Sequence, residues 1–230
     1  MMMRIFQLAF VLTLISAASV RAQITDPNNL IAPPPPPIQF RGRHLVKPTT
    51  DFQWMWQYTQ PAPNGNEGAL LNDPHFAMML QDNLKAPQSF YRDGALPLAA
   101  VAQQYFGVNF SSVRAEGNRT ISLIGCVQHQ CEDQGLLWVD TAVQRPTVVF
   151  AATQWTAQGA PIEDPNAEFN LWVFTSRALD AEHPPVALVN TIAQWHNENH
   201  QRIHAALVID PDGTPHQVNP AVLGATPVTK

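Results

Sequence analysis

The sequence has few cysteines, no long apolar run beyond its first residues and none of the common nucleotide-binding or hydrolase motifs. Cys126 and Cys131 are the only cysteines in 230 residues, so a hydrophobic core, not a disulfide framework, must hold the fold. A glycine-rich phosphate loop and a G-x-S-x-G nucleophile motif are both absent. Beyond residue 22 no stretch is apolar enough to span a bilayer. The apolar fraction of 45% suffices for one domain.

The first 22 residues predict a secretory signal peptide. Arg4 precedes a mostly apolar run from Ile5 to Val20, and the small side chains of Val20 and Ala22 flank Arg21. Signal peptidase recognises this pattern, and cleavage after Ala22 predicts a periplasmic or secreted protein with no membrane span. Its removal lowers the basic count from 13 to 11 against 18 acidic side chains, a net charge of about −7. Such a charge repels nucleic acid and attracts a basic protein partner.

Residues 23–68 predict an extended arm in front of the folded domain. They hold nine of the 21 prolines, including the run Pro33–Pro37. Consecutive prolines favour a polyproline II spacer, which has no internal hydrogen bonds. The segment DFQWMWQY at 51–58 is too aromatic to remain in water. It is predicted to dock on the domain or on a second copy of the chain, which makes a homodimer one expected state.

The remaining residues predict an α+β domain at 69–205, followed by a C-terminal extension at 206–230. Helices first and then consecutive strands indicate an antiparallel sheet of about five strands with helices packed on one face. Asn72 or Asp73 is expected to cap the first helix. Periodicity and turn formers predict helices within 71–84, 96–106 and 185–204, strands at 119–127, 135–140, 146–153 and 169–176, and a late hairpin within 206–218.

The stretch GCVQHQC at 125–131 carries the strongest functional signal, and three interpretations compete for it. Cys126, His129 and Cys131 supply three of the four ligands of a zinc site, but their spacing leaves little room for a tetrahedral set. A thioredoxin-like redox pair needs Cys-x-x-Cys at the start of a helix, whereas this spacing is longer and a strand follows.

The third interpretation, a disulfide across a β-hairpin, fits the flanking strands best. One strand ends at Cys126 and the next begins near Gln134. Closing so short a ring stabilises the fold by roughly 2 kcal/mol. It also holds residues 127–130 in a fixed protruding shape, which reduces the ordering cost on binding. His129 then points outward as a hydrogen-bond donor and acceptor.

The pattern Cys-x-x-His-x-Cys after a strand, in an exported protein of this size, resembles the Ivy family of bacterial inhibitors of vertebrate lysozyme. A short helix before it, GLLWVD after it and VVFAA beyond extend the resemblance over about residues 70–200. The resemblance implies a non-enzymatic inhibitor with no cofactor. Its partner is a c-type lysozyme, or a related muramidase or lytic transglycosylase. Hen-type lysozyme is basic, which suits the acidic charge of this chain.

The resemblance also implies a role for each residue of the loop. His129 enters the catalytic cleft, donates a hydrogen bond to one catalytic carboxyl group and accepts one from the other, so that the sugar is excluded. Cys126 and Cys131 hold the loop closed. The best-known members have lysine, proline and an acidic residue where this chain has Val127, Gln128 and Gln130. These three side chains are expected to tune the fit to the target.

A second interpretation comes from a different class of protein. His196, His200 and His204 follow one another at four-residue steps, which places them on one face of a predicted helix. Such a row, together with His216, suits a periplasmic protein that binds zinc, copper or nickel. A solvated polar helix face gives the same spacing. A domain of the Ivy type that serves only as a structural protein of the envelope is the third expectation.

Overall fold

The described residues of the computed structural model are 51–60, 66–109, 113–142, 144–157 and 160–228. Within them, one sheet contains eight strands, and four α-helices pack against it. The strands are β1 (Val108–Asn109), β2 (Arg114–Glu116), β3 (Thr120–Val127), β4 (Gln130–Asp140), β5 (Thr147–Trp155), β6 (Glu168–Thr175), β7 (Arg202–Ile209) and β8 (Pro215–Val218). The α-helices are α1 (Glu67–Asn72), α2 (Pro74–Asn83), α3 (Leu98–Tyr105) and α4 (Val186–Asn199).

The α+β class is confirmed, but the sheet is larger than predicted and is mixed. Its order is β1-β3-β4-β5-β6-β7-β8, and β2 also pairs with β3. From β3 to β6 each strand is antiparallel to the next, whereas β6 and β7 are parallel. Parallel neighbours require a crossover connection, and α4 provides it. The prediction of about five antiparallel strands is therefore wrong in number and in this pair.

Helices cover both faces of the sheet, so the prediction of helices on one face is also wrong. Leu137 and Val139 face a core that includes residues of α1, α2 and α3. Leu136 and Trp138 face a second core, which α4 closes with Leu188, Ile192 and Trp195. Strands buried on both faces have near-continuous apolar sequences, and GLLWVD and VVFAA are of this kind.

The aromatic part of the arm docks on its own domain. Residues Gln53–Thr59 form a 3₁₀-helix, with Phe52 and Met55 buried in the first core. Tyr58 donates a hydrogen bond to Asp73, the N-cap of α2. Asp73 also accepts a hydrogen bond from the backbone N–H of His75, at 2.8 Å. The segment thus contacts the domain, one of the two docking partners predicted for it.

The C-terminal residues are part of the sheet. The boundary predicted at residue 205 lies inside β7, and β8 pairs with β7 through a hairpin whose turn contains Asp210–Thr214. Residues 220–223 form a 3₁₀-helix, from which Leu223 enters the second core. The predicted hairpin is confirmed, and residues 206–228 continue the domain.

The predicted signal peptide and the proline run Pro33–Pro37 lie outside the described residues. Across the ranges given above, no helix has the length and apolar character needed to cross a membrane.

Candidate functional site

The cysteine loop is the tip of the hairpin formed by β3 and β4. Val127 pairs with Gln130, which leaves Gln128 and His129 as a two-residue turn. His129 has φ = +66°, in the left-handed region that histidine adopts more readily than most residues. Gln128, His129 and Gln130 are exposed. The hairpin therefore presents an imidazole, with one nitrogen able to donate and the other to accept, at its outermost point.

Cys126 and Cys131 lie at disulfide-bonding distance, with their Cα atoms 4.8 Å apart. Cys126 pairs with Gln134 across the ladder while Val127 pairs with Gln130, so residues 131–133 form a bulge on β4. The disulfide joins Cys126, the last residue before the register shift, to Cys131, the first residue of the bulge. Cys126 is buried on β3 and Cys131 is exposed on β4, so the bond ties the tip to the body of the sheet.

Val127 has a different position from the one predicted. Its side chain is only 8% exposed and belongs to the first core. Val127 continues the alternation of β3 that places Ile121 and Leu123 in the same core. Val127 therefore anchors the tip, and of residues 127–130 only Gln128, His129 and Gln130 are exposed.

Two glycines let α3 lie directly against the base of the hairpin. Gly125 and Gly135 are paired across β3 and β4. A Cβ atom on Gly125 would lie 2.7 Å from the carbonyl oxygen of Tyr105, and one on Gly135 would lie 2.8 Å from the Cβ of Tyr105. Only glycine permits this approach. The contact supports the hairpin from the first face of the sheet.

On the second face the base is fixed by hydrogen bonds from α4 and from the residues that follow it. Trp195 is fully buried, and its indole Nε1–H donates to Oε1 of Gln134 at 3.2 Å. Nε2 of Gln201 donates to the carbonyl oxygen of Glu132 at 3.1 Å. The hairpin is thus supported from both sides, and only its last few residues protrude.

Asp133 is the buried carboxyl group beneath the loop. It is 4% exposed, and its Oδ2 accepts a hydrogen bond from Nε2 of Gln130 at 2.9 Å. Burial raises the pKa of Asp133 from 3.8 to about 6, which the hydrogen bond from the backbone N–H of Trp155 partly offsets. This carboxyl group links the exposed side chain of Gln130 to the interior.

The four histidines of the metal-binding interpretation do not come together on one helix. α4 ends at Asn199, and His200 is its exposed C-cap with φ = +53°. His196 is 1% exposed and lies beside Trp195 of the second core. His204 lies on β7 and bonds to Glu168 at 2.9 Å, while His216 bonds to Asp210 at 3.0 Å. The predicted helix over 185–204 is too long, because the chain becomes β7 from Arg202.

The part of the chain that the structure describes contains no cluster of three or more His, Cys, Asp or Glu side chains placed to hold a metal ion. His196 is instead a core residue. Burial lowers its pKa from 6.5 to about 4, so its imidazole is neutral at neutral pH. Because α4 is shorter than predicted, the histidines do not lie in a row on one helix face. The metal-binding interpretation therefore loses its geometric basis.

Asp133 gives a pH-dependent prediction. In the folded protein the carboxyl group of Asp133 keeps its proton up to about pH 6, because burial raises its pKa to about 6. In the unfolded chain the same group loses its proton near pH 3.8, its ordinary pKa. The stability that Asp133 contributes is therefore complete below pH 3.8 and is lost as the pH rises through about 6. At about 1.4 kcal/mol per pH unit, the loss is on the order of 3 kcal/mol. Urea unfolding of the wild type and of Asp133→Asn, from pH 4 to pH 7, measures it.

Comparing the wild type with Asp133→Asn separates the pH dependence of stability due to Asp133 from that due to His196, which has the opposite sign. Because the pKa of His196 is lowered by burial, its contribution is complete above pH 6.5 and is lost as the pH falls toward 4. The contribution of His196 to stability is the same in the wild type and in Asp133→Asn, so it cancels in the difference between them. We expect Asp133→Asn to gain stability relative to the wild type as the pH rises; a difference independent of pH would contradict the assignment.

Sequence reasoning missed Asp133, Gln134 and Gln201 as parts of the site. Their partners are distant in the chain: Trp195 is 61 residues from Gln134, and Gln201 is 69 residues from Glu132. Only the packing of α3 on the hairpin had a local signal, the pair of glycines Gly125 and Gly135 within apolar strands. A glycine inside a strand marks a close backbone approach.

Comparisons with family models, with curated proteins and with solved structures found no match to this chain. The resemblance to the Ivy family therefore rests on the Cys-x-x-His-x-Cys loop and its flanking strands.

Proposed function

We propose that this protein inhibits a peptidoglycan-cleaving glycosidase of the lysozyme type by inserting the tip of the β3–β4 hairpin into the catalytic cleft. The observation that carries the proposal is the exposed imidazole of His129 at the outermost point of a disulfide-spanned, doubly supported hairpin. In the cleft, one ring nitrogen donates to one catalytic carboxyl group and the other accepts from its partner. The imidazole occupies the place of the scissile bond.

Rigidity supports this role. A loop that is ordered before binding loses little conformational entropy when it enters a cleft, so more of the contact energy appears as affinity. The supports are the disulfide, the packing of α3 on Gly125 and Gly135, and the hydrogen bonds from Trp195 and Gln201. Each lies behind the tip and leaves His129 accessible.

Charge supports a basic target. The three exposed side chains at the tip, Gln128, His129 and Gln130, carry no fixed charge, so long-range attraction comes from acidic side chains elsewhere in the chain. Such attraction acts mainly on the association rate and is screened by salt. Association with a basic lysozyme is therefore expected to slow as the salt concentration rises, while dissociation changes little.

The test is an inhibition titration on c-type lysozymes, g-type lysozymes and bacterial lytic transglycosylases. We expect the wild type to inhibit one class at one equivalent. The double variant Cys126→Ala/Cys131→Ala is expected to inhibit the same class about tenfold less well, because its loop must be ordered on binding. It should also unfold with a free energy lower by about 2 kcal/mol.

Two controls make the titration interpretable. The wild type with its disulfide reduced should behave as the double alanine variant does, which separates the bond from the side chains. Val222→Ala, a change at an exposed position far from the loop in sequence, should inhibit as the wild type does. No inhibition of any enzyme class by the wild type would contradict the proposal and favour a structural role.

A further inference from the structure

A groove of about 360 Å³ lies beside the cysteine loop, on the side of the sheet that α4 covers. Its lining includes Cys131 and Glu132 of the loop, Asp164 in the turn before β6, and His200 and Gln201, which follow the end of α4. Because Cys131 both lines this groove and is one end of the disulfide, any protein that receives the hairpin tip approaches the groove as well.

The groove is rich in hydrogen-bond acceptors. Gln201 is 7% exposed, and the bond from its Nε2 to the carbonyl oxygen of Glu132 fixes the orientation of the amide. The other amide atom, Oε1, is buried and has no partner among the residues that the structure describes. A buried acceptor without a donor is costly, so a ligand that supplies an N–H group here is favoured.

Two carboxylates complete the set. Glu132 is exposed, and Asp164 is half-buried with its Oδ1 accepting hydrogen bonds from Asn166, at 2.7 Å from the backbone nitrogen. No lysine or arginine of the described ranges lines the groove. The nearby Arg202 directs its guanidinium to Oδ1 of Asn166, at 3.0 Å. The groove thus has two carboxylates in its lining, and the nearby Arg202 is engaged by Asn166.

We propose that this groove binds an arginine side chain of the protein whose cleft receives the hairpin. A guanidinium has five N–H donors in a plane, so it can bond to several acceptors at once, such as two carboxylates and one amide oxygen. Ile162 and Phe169 also line the groove and provide an apolar surface for the methylene groups of the arginine. This inference rests on the proposed function for the identity of the partner, but the chemistry of the groove is independent of it.

The groove is tested first without any partner protein. In a ¹⁵N NMR titration with Nα-acetyl-arginine amide, the side-chain amide of Gln201 is expected to shift and saturate with millimolar affinity. Nα-acetyl-citrulline amide has nearly the same shape without the charge, and it is expected to bind at least tenfold more weakly. Glu132→Gln should weaken arginine amide binding severalfold, whereas Glu163→Gln, an exposed change on the same turn as Asp164, should leave it unchanged.

The second arm uses the inhibited enzyme. We expect Glu132→Gln to weaken inhibition about tenfold and Glu163→Gln to leave it unchanged. Arginine amide binding without inhibition of any muramidase would support the groove and refute the proposed function. Inhibition that is insensitive to Glu132→Gln, with no Gln201 shift on adding arginine amide, would overturn the groove proposal and leave the proposed function standing.

Discussion

Replacing His129 with asparagine is expected to weaken inhibition about 100-fold or more while leaving the fold intact. His129 is the only side chain of the tip with both a ring donor and a ring acceptor, and buried anchors of this kind account for most of the binding energy at an interface. Asparagine tolerates the left-handed conformation that φ = +66° requires, so the backbone of the turn is preserved. The measurement is the inhibition constant against the enzyme class that the wild type inhibits.

A matched control is available elsewhere on the surface. The side chain of His183 is 80% exposed and bonds only to Asp180 among the described residues. His183→Asn is expected to inhibit as the wild type does. His129→Ala should lose inhibition as His129→Asn does. Wild-type inhibition by His129→Asn would show that the imidazole does not enter the cleft.

Replacing Trp195 with alanine is expected to lower the free energy of unfolding by about 4 kcal/mol. Trp195 is fully buried in the second core, so its removal leaves a large cavity beneath β4. It also leaves Oε1 of Gln134 without the indole donor that now lies 3.2 Å away. Urea unfolding at constant pH measures the change.

Two further variants show whether the lost stability comes from the buried volume of Trp195 or from its indole hydrogen bond. Val186 lies on the same helix and is 74% exposed, so Val186→Ala should change the free energy of unfolding by less than about 0.5 kcal/mol. Trp195→Phe retains most of the apolar volume but loses the indole N–H, and it should cost less than the alanine variant. A loss below about 1 kcal/mol for Trp195→Ala would contradict the role of Trp195 in supporting the hairpin.

Local patterns predicted most of the secondary structure. The strand expected at 119–127 is observed at Thr120–Val127, and the helix expected at 96–106 is observed at Leu98–Tyr105. Apolar periodicity and turn formers specify these elements over a few residues, without knowledge of the rest of the chain. The disulfide-distance pair and the exposed position of His129 were predictable for the same reason: the loop and its two strands are contiguous.

The arrangement of the strands depends on where α4 ends, which local pattern did not reveal. Neither of the two residues after Asn199 is a glycine or a proline, the usual signals for the end of a helix. His200 itself adopts the left-handed conformation and ends the helix. The sequence RIHAALVI then forms a strand because it pairs with β6, more than 30 residues earlier. This non-local pairing makes the sheet mixed and places α4 on the second face. It also separates the histidines that a longer helix would have aligned.

The candidate site also has one part that local sequence specifies and one part that it does not. Its tip follows from local sequence, whereas its supports are contacts between distant segments. Val127 was expected to face the target, but it lies on the face of β3 that carries Ile121 and Leu123 and is buried in the first core. Asp133 accepts a hydrogen bond from the backbone N–H of Trp155 in β5, 22 residues away, and composition alone gives no sign of its burial.

An NMR titration of the His129 imidazole with the inhibited lysozyme observes the proposed contact itself. We expect the ring resonances of His129 to move and reach a plateau at one equivalent of enzyme, while those of His183 stay unchanged. Inhibition of the enzyme with no change in the His129 resonances would show that another surface blocks the cleft and that His129 is not the inhibitory residue.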